Sequence, residues 1–264
     1  MIPTAPDDKD FPWWLLVVAA IGGYLFFEVL TNETYTKVLK TLSKGIQITV
    51  FVAFVSYALA CLLGLGLALM ATSRLIVLRQ IARFYVEVMR GIPIIVLLLY
   101  VAFVVAPAMV LGWNALIEPL GFEPIRGRDF PFLWRAIIAL TLAYASFLAE
   151  VFRAGLQSVD QGQIEAAEAL GLNNWQRFRH IVMPQALRTI LPPLGNDFVA
   201  MVKDSSLVSV LGVSDITQMG KVYAAGSFTF FETYSIVAYI YLVLTIGLSL
   251  ALRALERRLA QKRG

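Results

Sequence analysis

Gly45 to Met70, GIQITVFVAFVSYALACLLGLGLALM, runs its whole length without a charged side chain. A helix crossing a hydrocarbon core of ~30 Å needs ~20 mostly apolar residues, so this stretch is long enough to span a bilayer. Its Gly64 and Gly66 suit close approach of neighbouring helices, which predicts a helix packed inside a bundle. Outward from it, five more stretches read as spans: Phe11 to Leu30, Ile92 to about Leu111, Arg135 to about Arg153, Thr189 to Leu211 and Tyr234 to Leu252. The fifth in chain order is interrupted by Pro192, Pro193, Gly195, Asn196, Asp197, Lys203 and Asp204. Composition agrees with a membrane protein: the 264 residues are 59% hydrophobic and 15% charged, against about 25% charged in soluble domains. Such a chain lacks the polar surface to cover itself in water, which excludes an ordinary soluble or disordered protein.

The charges orient the spans. With the N-terminus in the cytosol, most of the 22 Lys and Arg residues fall inside, among them Arg74, Arg79, Arg83, Arg90, Arg153, Arg177, Arg179, Arg188 and the C-terminal cluster Arg253, Arg257, Arg258, Lys262 and Arg263. That obeys the positive-inside rule and puts the C-terminus in the cytosol. Lys37, Lys40 and Lys44 fall outside, and read as a short amphipathic helix on the membrane surface. A cleaved signal peptide is the alternative for the first span. The acidic start (Asp7, Asp8 and Asp10 against Lys9), the long apolar run and the lack of a small-residue cleavage site favour a retained helix. The net charge of +4 therefore marks cytosolic loops rather than a nucleic-acid partner.

Between the fourth and fifth spans, residues 153–188 form a polar inside loop. QGQIEAAEAL (Gln161 to Leu170) is rich in helix formers, and Gly171 stands where a helix end favours a residue of positive φ. Asn173 or Asn174 can cap a second short helix, on which Leu172, Trp175, Phe178 and Val182 recur at spacings of three and four, an apolar stripe expected to be covered. Ala166 and Ala167 offer close backbone access, with Glu165 and Glu168 as anionic ends. The residues alone fit a solvated hairpin and a docking element equally well.

The spacing of Glu165-Ala166-Ala167, Gly171, Ile181 and Pro184 resembles the EAA loop of ATP-binding-cassette importer permeases, with Met183 where that pattern has Leu. AEVFRAGLQSVDQGQIEAAEALG (Ala149 to Gly171), VMPQALR (Val182 to Arg188) and VKDSSLVSVLGVSDIT (Val202 to Thr217) are similar to the polar amino-acid uptake subfamily. Arg90-Gly91-Ile92-Pro93 resembles its R-G-T-P element, with Ile92 for Thr. The resemblance covers the chain from about Gly45 onward. It implies an all-α integral membrane fold, a type I importer permease with a five-helix core plus one N-terminal transmembrane helix. Residues 1–44 would be that helix and a linker, and 45–264 the transmembrane domain with its cytosolic coupling loop at 153–188. It further implies a bacterial inner-membrane subunit that imports polar amino acids, pairs with a second permease chain, receives substrate from an external amino-acid-binding protein, and is driven by two separate ATPase subunits. Glu165, Ala166, Ala167, Gly171, Ile181 and Pro184 would couple those ATPases to the bundle.

The remaining chemistry is sparse. The chain has no G-x-x-x-x-G-K-[ST] segment, so ATP and Mg belong to partner chains and no cofactor is expected in this one. His180 is the only histidine and Cys61 the only cysteine, which argues against catalytic triads, disulfides and metal clusters. Ionisable residues in spans are functional candidates because burying them is costly: Glu150, Asp197, Lys203 and Asp204, with Asn196. Glu150 and Arg153 are spaced to pair on one helix face. Asn196 and Asp197, beside the prolines, suit the wall of a water-filled path where a helix is broken. Lys203 either pairs with Asp204 or attracts a substrate carboxylate. An ion-coupled secondary transporter is the rival reading, but no internal repeat is evident.

Overall fold

The computed structural model describes residues 13–261, and every element among them is helical. In chain order these are α1 (Trp13–Thr31), α2 (Glu33–Ala71), α3 (Ile76–Gly91), α4 (Ile94–Tyr100), α5 (Ala106–Ile117), α6 (Phe132–Gln157), α7 (Gln161–Ala169), α8 (Asn174–Arg177), α9 (Met183–Asp204), α10 (Ile216–Ser227) and α11 (Phe230–Gln261). α2, the α4–α5 segment, α6 and α11 are long and apolar enough to cross a membrane, and α1 is a shorter apolar helix. Phe11, the N-terminal acids, Lys9, Lys262 and Arg263 lie outside the described residues.

α2 departs from expectation. Asn32 is extended and its side chain accepts the Thr34 N–H at 3.0 Å, which caps a helix of 39 residues, about 58 Å at 1.5 Å per residue. That is nearly twice a hydrocarbon core. Lys37, Lys40 and Lys44 are therefore not a separate surface helix, and the boundary expected at 44/45 falls inside α2. The reason is packing: Tyr35, Val38 and Leu42 are buried with Ile216, Ile236, Val237 and Ile240 in a second, outer core. Gly45 permits that contact, since a Cβ there would stand 2.6 Å from the Ile216 backbone nitrogen. Gly64 serves the main core, where a Cβ would meet the Ala145 carbonyl at 3.0 Å. Gly66, expected to do likewise, faces open space.

α3, which was not foreseen, follows α2. Arg79 Nη1 donates to the carbonyls of Ser73 and Arg74, both at 2.9 Å, and pins its first turn. Ala82 and Val86 are buried against the main core, while Val77, Ile81, Phe84 and Val88 face outward.

The third span begins with Pro93 as a cap rather than as its first helical residue. It is one continuous rod whose middle, Val101–Val105, widens to a π turn closed by Ala106 N–H to the Val101 carbonyl. Pro107 follows. A proline ring presses on the carbonyl four residues back and offers that carbonyl no donor; the carbonyl is that of Phe103, inside the widened turn. Phe178–Val182 repeats the arrangement ahead of Pro184, where the carbonyl is that of His180.

α6 is the most enclosed of the spanning helices and packs extensively on α2 and α9. It starts earlier than Arg135, at Phe132. Arg135 is buried and donates to the carbonyls of Phe130 (2.9 Å), Ala102 (2.8 Å) and Gly127 (2.5 Å), so one cation ties α6 to the loop before it.

α9 also differs from the expected broken helix. Pro192 and Pro193 lie on its exposed side and the helix continues through them. It changes only at Ser205, into a 3₁₀ segment ending at Gly212 with φ 74°. Beyond it, fully buried Asp215 caps α10 by accepting the Gln218 N–H at 2.8 Å and also accepts the Tyr241 hydroxyl at 3.1 Å, while Ile216 N–H reaches the Thr49 hydroxyl at 3.3 Å. Burial pushes the Asp215 carboxyl up, against the pull of those hydrogen bonds.

Candidate functional site

Two groups of residues stand out, a hairpin at one end of the bundle and a polar face along α9. The hairpin is built of short-range bonds. Asp160 caps α7 through the Gly162 N–H at 2.8 Å. At its far end Gly171, with φ 78°, donates to the Glu168 carbonyl (2.9 Å), and Leu172 N–H reaches the Ala167 carbonyl (3.1 Å). This double bond pattern is a Schellman cap, which favours glycine at the left-handed position. Asn173 and Gln176 then form a reciprocal capping box for α8. Glu168 closes the hairpin by pairing with Arg177 at 2.8 Å, and Gln163 accepts from Gln185 at 2.6 Å.

α8 is not an independent second helix. It runs through the π turn directly into α9, so Ile181 and Pro184, both half-buried, lie within one rod joining hairpin to bundle. Ala167 is buried, whereas Glu165, Ala166 and Gly171 are exposed. The stripe expected to be covered is open in part: Leu172 and Val182 are half-buried, but Trp175 is 65% and Phe178 37% exposed, and Leu170 beside the stripe is 80% exposed. A surface of this kind fits a partner rather than the chain's own core.

Along α9, residues seven apart share a face. Asp197 and Asp204 form one such pair and are half-buried, while Asn196 and Lys203 form the adjacent, exposed pair. The Tyr144 hydroxyl of α6 donates to Asp204 Oδ2 at 2.8 Å. Tyr57 of α2 donates to the Leu194 carbonyl at 2.6 Å and its ring lies 4.9 Å from that of Phe198. Lys203 and Asp204 do not pair; Asp204 takes the tyrosine instead. Glu150 is elsewhere, near the hairpin end of α6, where it pairs with Arg153 at 2.5 Å. The contact of Gly155 with Ile190 sets the register of α6 and α9, which puts Asp197 about 10 Å and Asp204 about 21 Å further along at 1.5 Å per residue. Tyr57 and Tyr144 carry no sequence signal for this role. α3 did carry one, because Val77, Ile81, Phe84 and Val88 recur at spacings of four, three and four.

The described residues thus form an all-helical bundle with a polar face along α9 and an exposed hairpin at one end. Residues 60–261 match the family of binding-protein-dependent transport system inner membrane components, and the chain belongs to that family. It is 37% identical to the probable amino-acid permease protein YxeN of Bacillus subtilis, over 84% of this chain and 92% of that one. It is 33% identical to the glutamine transport system permease protein GlnP of Escherichia coli, over 83% and 92%. Among solved structures, an amino acid ABC transporter superposes with TM-score 0.72 at 33% identity, over 85% of this chain and 97% of that one. The MetNI methionine ABC transporter shares the fold, with TM-score 0.63 at 21% identity over 82% and 95%. The chain is thus an integral membrane permease subunit of the ABC importer type, a transport component of the inner membrane. The family match leaves α1 and residues 33–59 of α2 aside.

Proposed function

We propose that the chain forms half of the translocation path of an ATP-driven importer of polar amino acids. In this reading an external binding protein delivers the substrate, a second permease chain completes the path, and two ATPase subunits drive the pair, one docking on the hairpin at 153–188, with the C-terminus on the same cytosolic side. The observation that carries it is the hairpin itself: α7 is capped at both ends, and α8, which exposes Trp175 and with the following turn Phe178, is continuous with the helix that bears Asp197 and Asp204. Glu165, Ala166, Ala167 and Gly171 meet the ATPase, and Ile181 and Pro184 pass its movement to α9. ATP and Mg bind on the partner. Asn196, Asp197, Lys203 and Asp204 line the path; Glu150, paired with Arg153, stands near its cytosolic end. Family membership and the amino-acid relatives favour this over an ion-coupled transporter.

The test is reconstitution of the chain with its co-purifying subunits in liposomes. ATP-dependent uptake of a labelled amino acid with external binding protein, lost in Glu165→Lys together with ATPase co-purification, is the expected result. Uptake that follows an ion gradient with no ATPase bound would refute the proposal.

A further inference from the structure

α3 has three faces. Ala82 and Val86 are packed into the core; Val77, Ile81, Phe84 and Val88 form an exposed apolar stripe, Phe84 at 72%; and Arg83, Glu87 and Arg90 form a polar ridge between them. A short helix with an open apolar stripe beside a basic ridge sits at the boundary of water and hydrocarbon. Behind the ridge is a cleft of about 520 Å³ between α2, α3 and α6. Arg83, Glu87, Arg90, Glu150 and Arg153 line it along with apolar Leu67, Val86 and Ala149.

Its lining charges leave one excess cation: Arg83, Arg90 and Arg153 face Glu87 and Glu150. Arg153 pairs with Glu150, and among the described residues neither Arg83 nor Arg90 is within ion-pair distance of a carboxylate. The Arg90 guanidinium stands 5.6 Å from the Phe147 ring centroid on α6. A cation over an aromatic ring still has N–H groups with which to donate to an anion. Two guanidinium groups over a partly apolar cleft, opening beside an exposed apolar stripe, match a ligand that is anionic at one end and hydrocarbon at the other.

We infer that the α2–α3–α6 cleft binds the phosphate headgroup of an anionic phospholipid of the inner leaflet, with Arg83 and Arg90 as its ligands and the acyl chains along Phe84 and Val88. The inference rests on this end of the bundle facing the cytosol, and on neither the substrate nor the ATPase. Binding is read without transport, so its failure leaves the importer reading standing.

The experiment is native mass spectrometry of the purified full-length chain with its co-purifying subunits, titrated with phosphatidylglycerol or phosphatidylcholine of identical acyl chains. Preferential retention of phosphatidylglycerol is expected, reduced about tenfold or more in Arg83→Ala/Arg90→Ala, since a hydrogen bond to a charged group contributes ~1.5 kcal/mol or more. Arg83→Ala alone, at an exposed side chain with no ion pair, weakens retention without disturbing the fold. Arg74→Ala removes the same charge from just before α3 but outside the cleft, and retains the lipid as wild type does. Equal retention of the two lipids, or equal loss in Arg74→Ala, overturns the inference. Displacement of phosphatidylglycerol by inorganic phosphate at tens of millimolar overturns it too, by assigning the cleft to a free anion.

Discussion

Gly171→Ala isolates the rigidity of the hairpin from its contacts. The residue sits at φ 78° with nothing within 4 Å of a Cβ built there, so the substitution adds backbone strain and no clash. An L-residue in the left-handed region costs roughly 1–2 kcal/mol. The Gly171 and Leu172 amides report the cost directly, because they donate to the Glu168 and Ala167 carbonyls and are released together when the cap opens. That free energy corresponds to an opening equilibrium raised roughly 5- to 30-fold. Hydrogen exchange followed by mass spectrometry, on peptides spanning 165–175, should show faster exchange by that factor. Peptides of α6 should be unchanged, since local opening is independent of the global transition. Asn tolerates the left-handed region, so Gly171→Asn should fall between Ala and wild type. Unchanged exchange in the Ala variant, or an Asn variant as fast as Ala, would refute the cap as the source of rigidity.

Two glycines of α2 should respond with opposite sign. Gly45→Ala pushes a Cβ into backbone atoms of Asp215 and Ile216 and should destabilise by roughly 1–3 kcal/mol, whereas Gly66→Ala, in open space, should stabilise by up to about 1 kcal/mol; thermal melts in detergent decide. Tyr144→Phe keeps the ring but strips Asp204 of its donor. A loss of about 1–3 kcal/mol is expected, read as a lower melting temperature, and an unchanged melt would show that Asp204 finds another donor. Asp215 supplies a pH dependence. Burial holds its carboxyl above the unfolded value of about 3.9, so its contribution to stability is full below that value and is lost as pH rises through the folded one. Asp215→Asn, which keeps an acceptor for Gln218, should flatten that part of the melting-temperature profile; a profile identical to wild type would contradict the assignment.

Four spans, α2, α4–α5, α6 and α11, were legible because each is a local property, a run of apolar residues long enough for a bilayer; α9, expected as a fifth, is too polar to be among them. The hairpin was legible for a related reason: Gly171 and Asn173 act on backbone groups three residues away, within reach of sequence spacing; the Asp160 cap of α7 was not read. Helix continuity was not. Lys44-Gly45 looked like a junction, but no local signal stops α2 there, and burial of Tyr35, Val38 and Leu42 against α10 and α11 extends the helix outward. The prolines at 192 and 193 looked like a break, yet they lie on the exposed side of α9 and leave its packed side unaffected.

By itself, then, the sequence determined that this is a helical membrane protein, four of its segments long and apolar enough to cross a bilayer, and the capping residues Gly171 and Asn173 of its polar hairpin. Only the tertiary structure decided which faces meet. Asp204 takes Tyr144 rather than Lys203, Trp175 and Phe178 stay open, and α3 presents Arg83 and Arg90 over a cleft. The physical reason is that lipid tails are as apolar as the side chains of a bundle core. An apolar residue that faces lipid and one that faces another helix read alike along the chain, and the choice between them rests on contacts between residues dozens of positions apart.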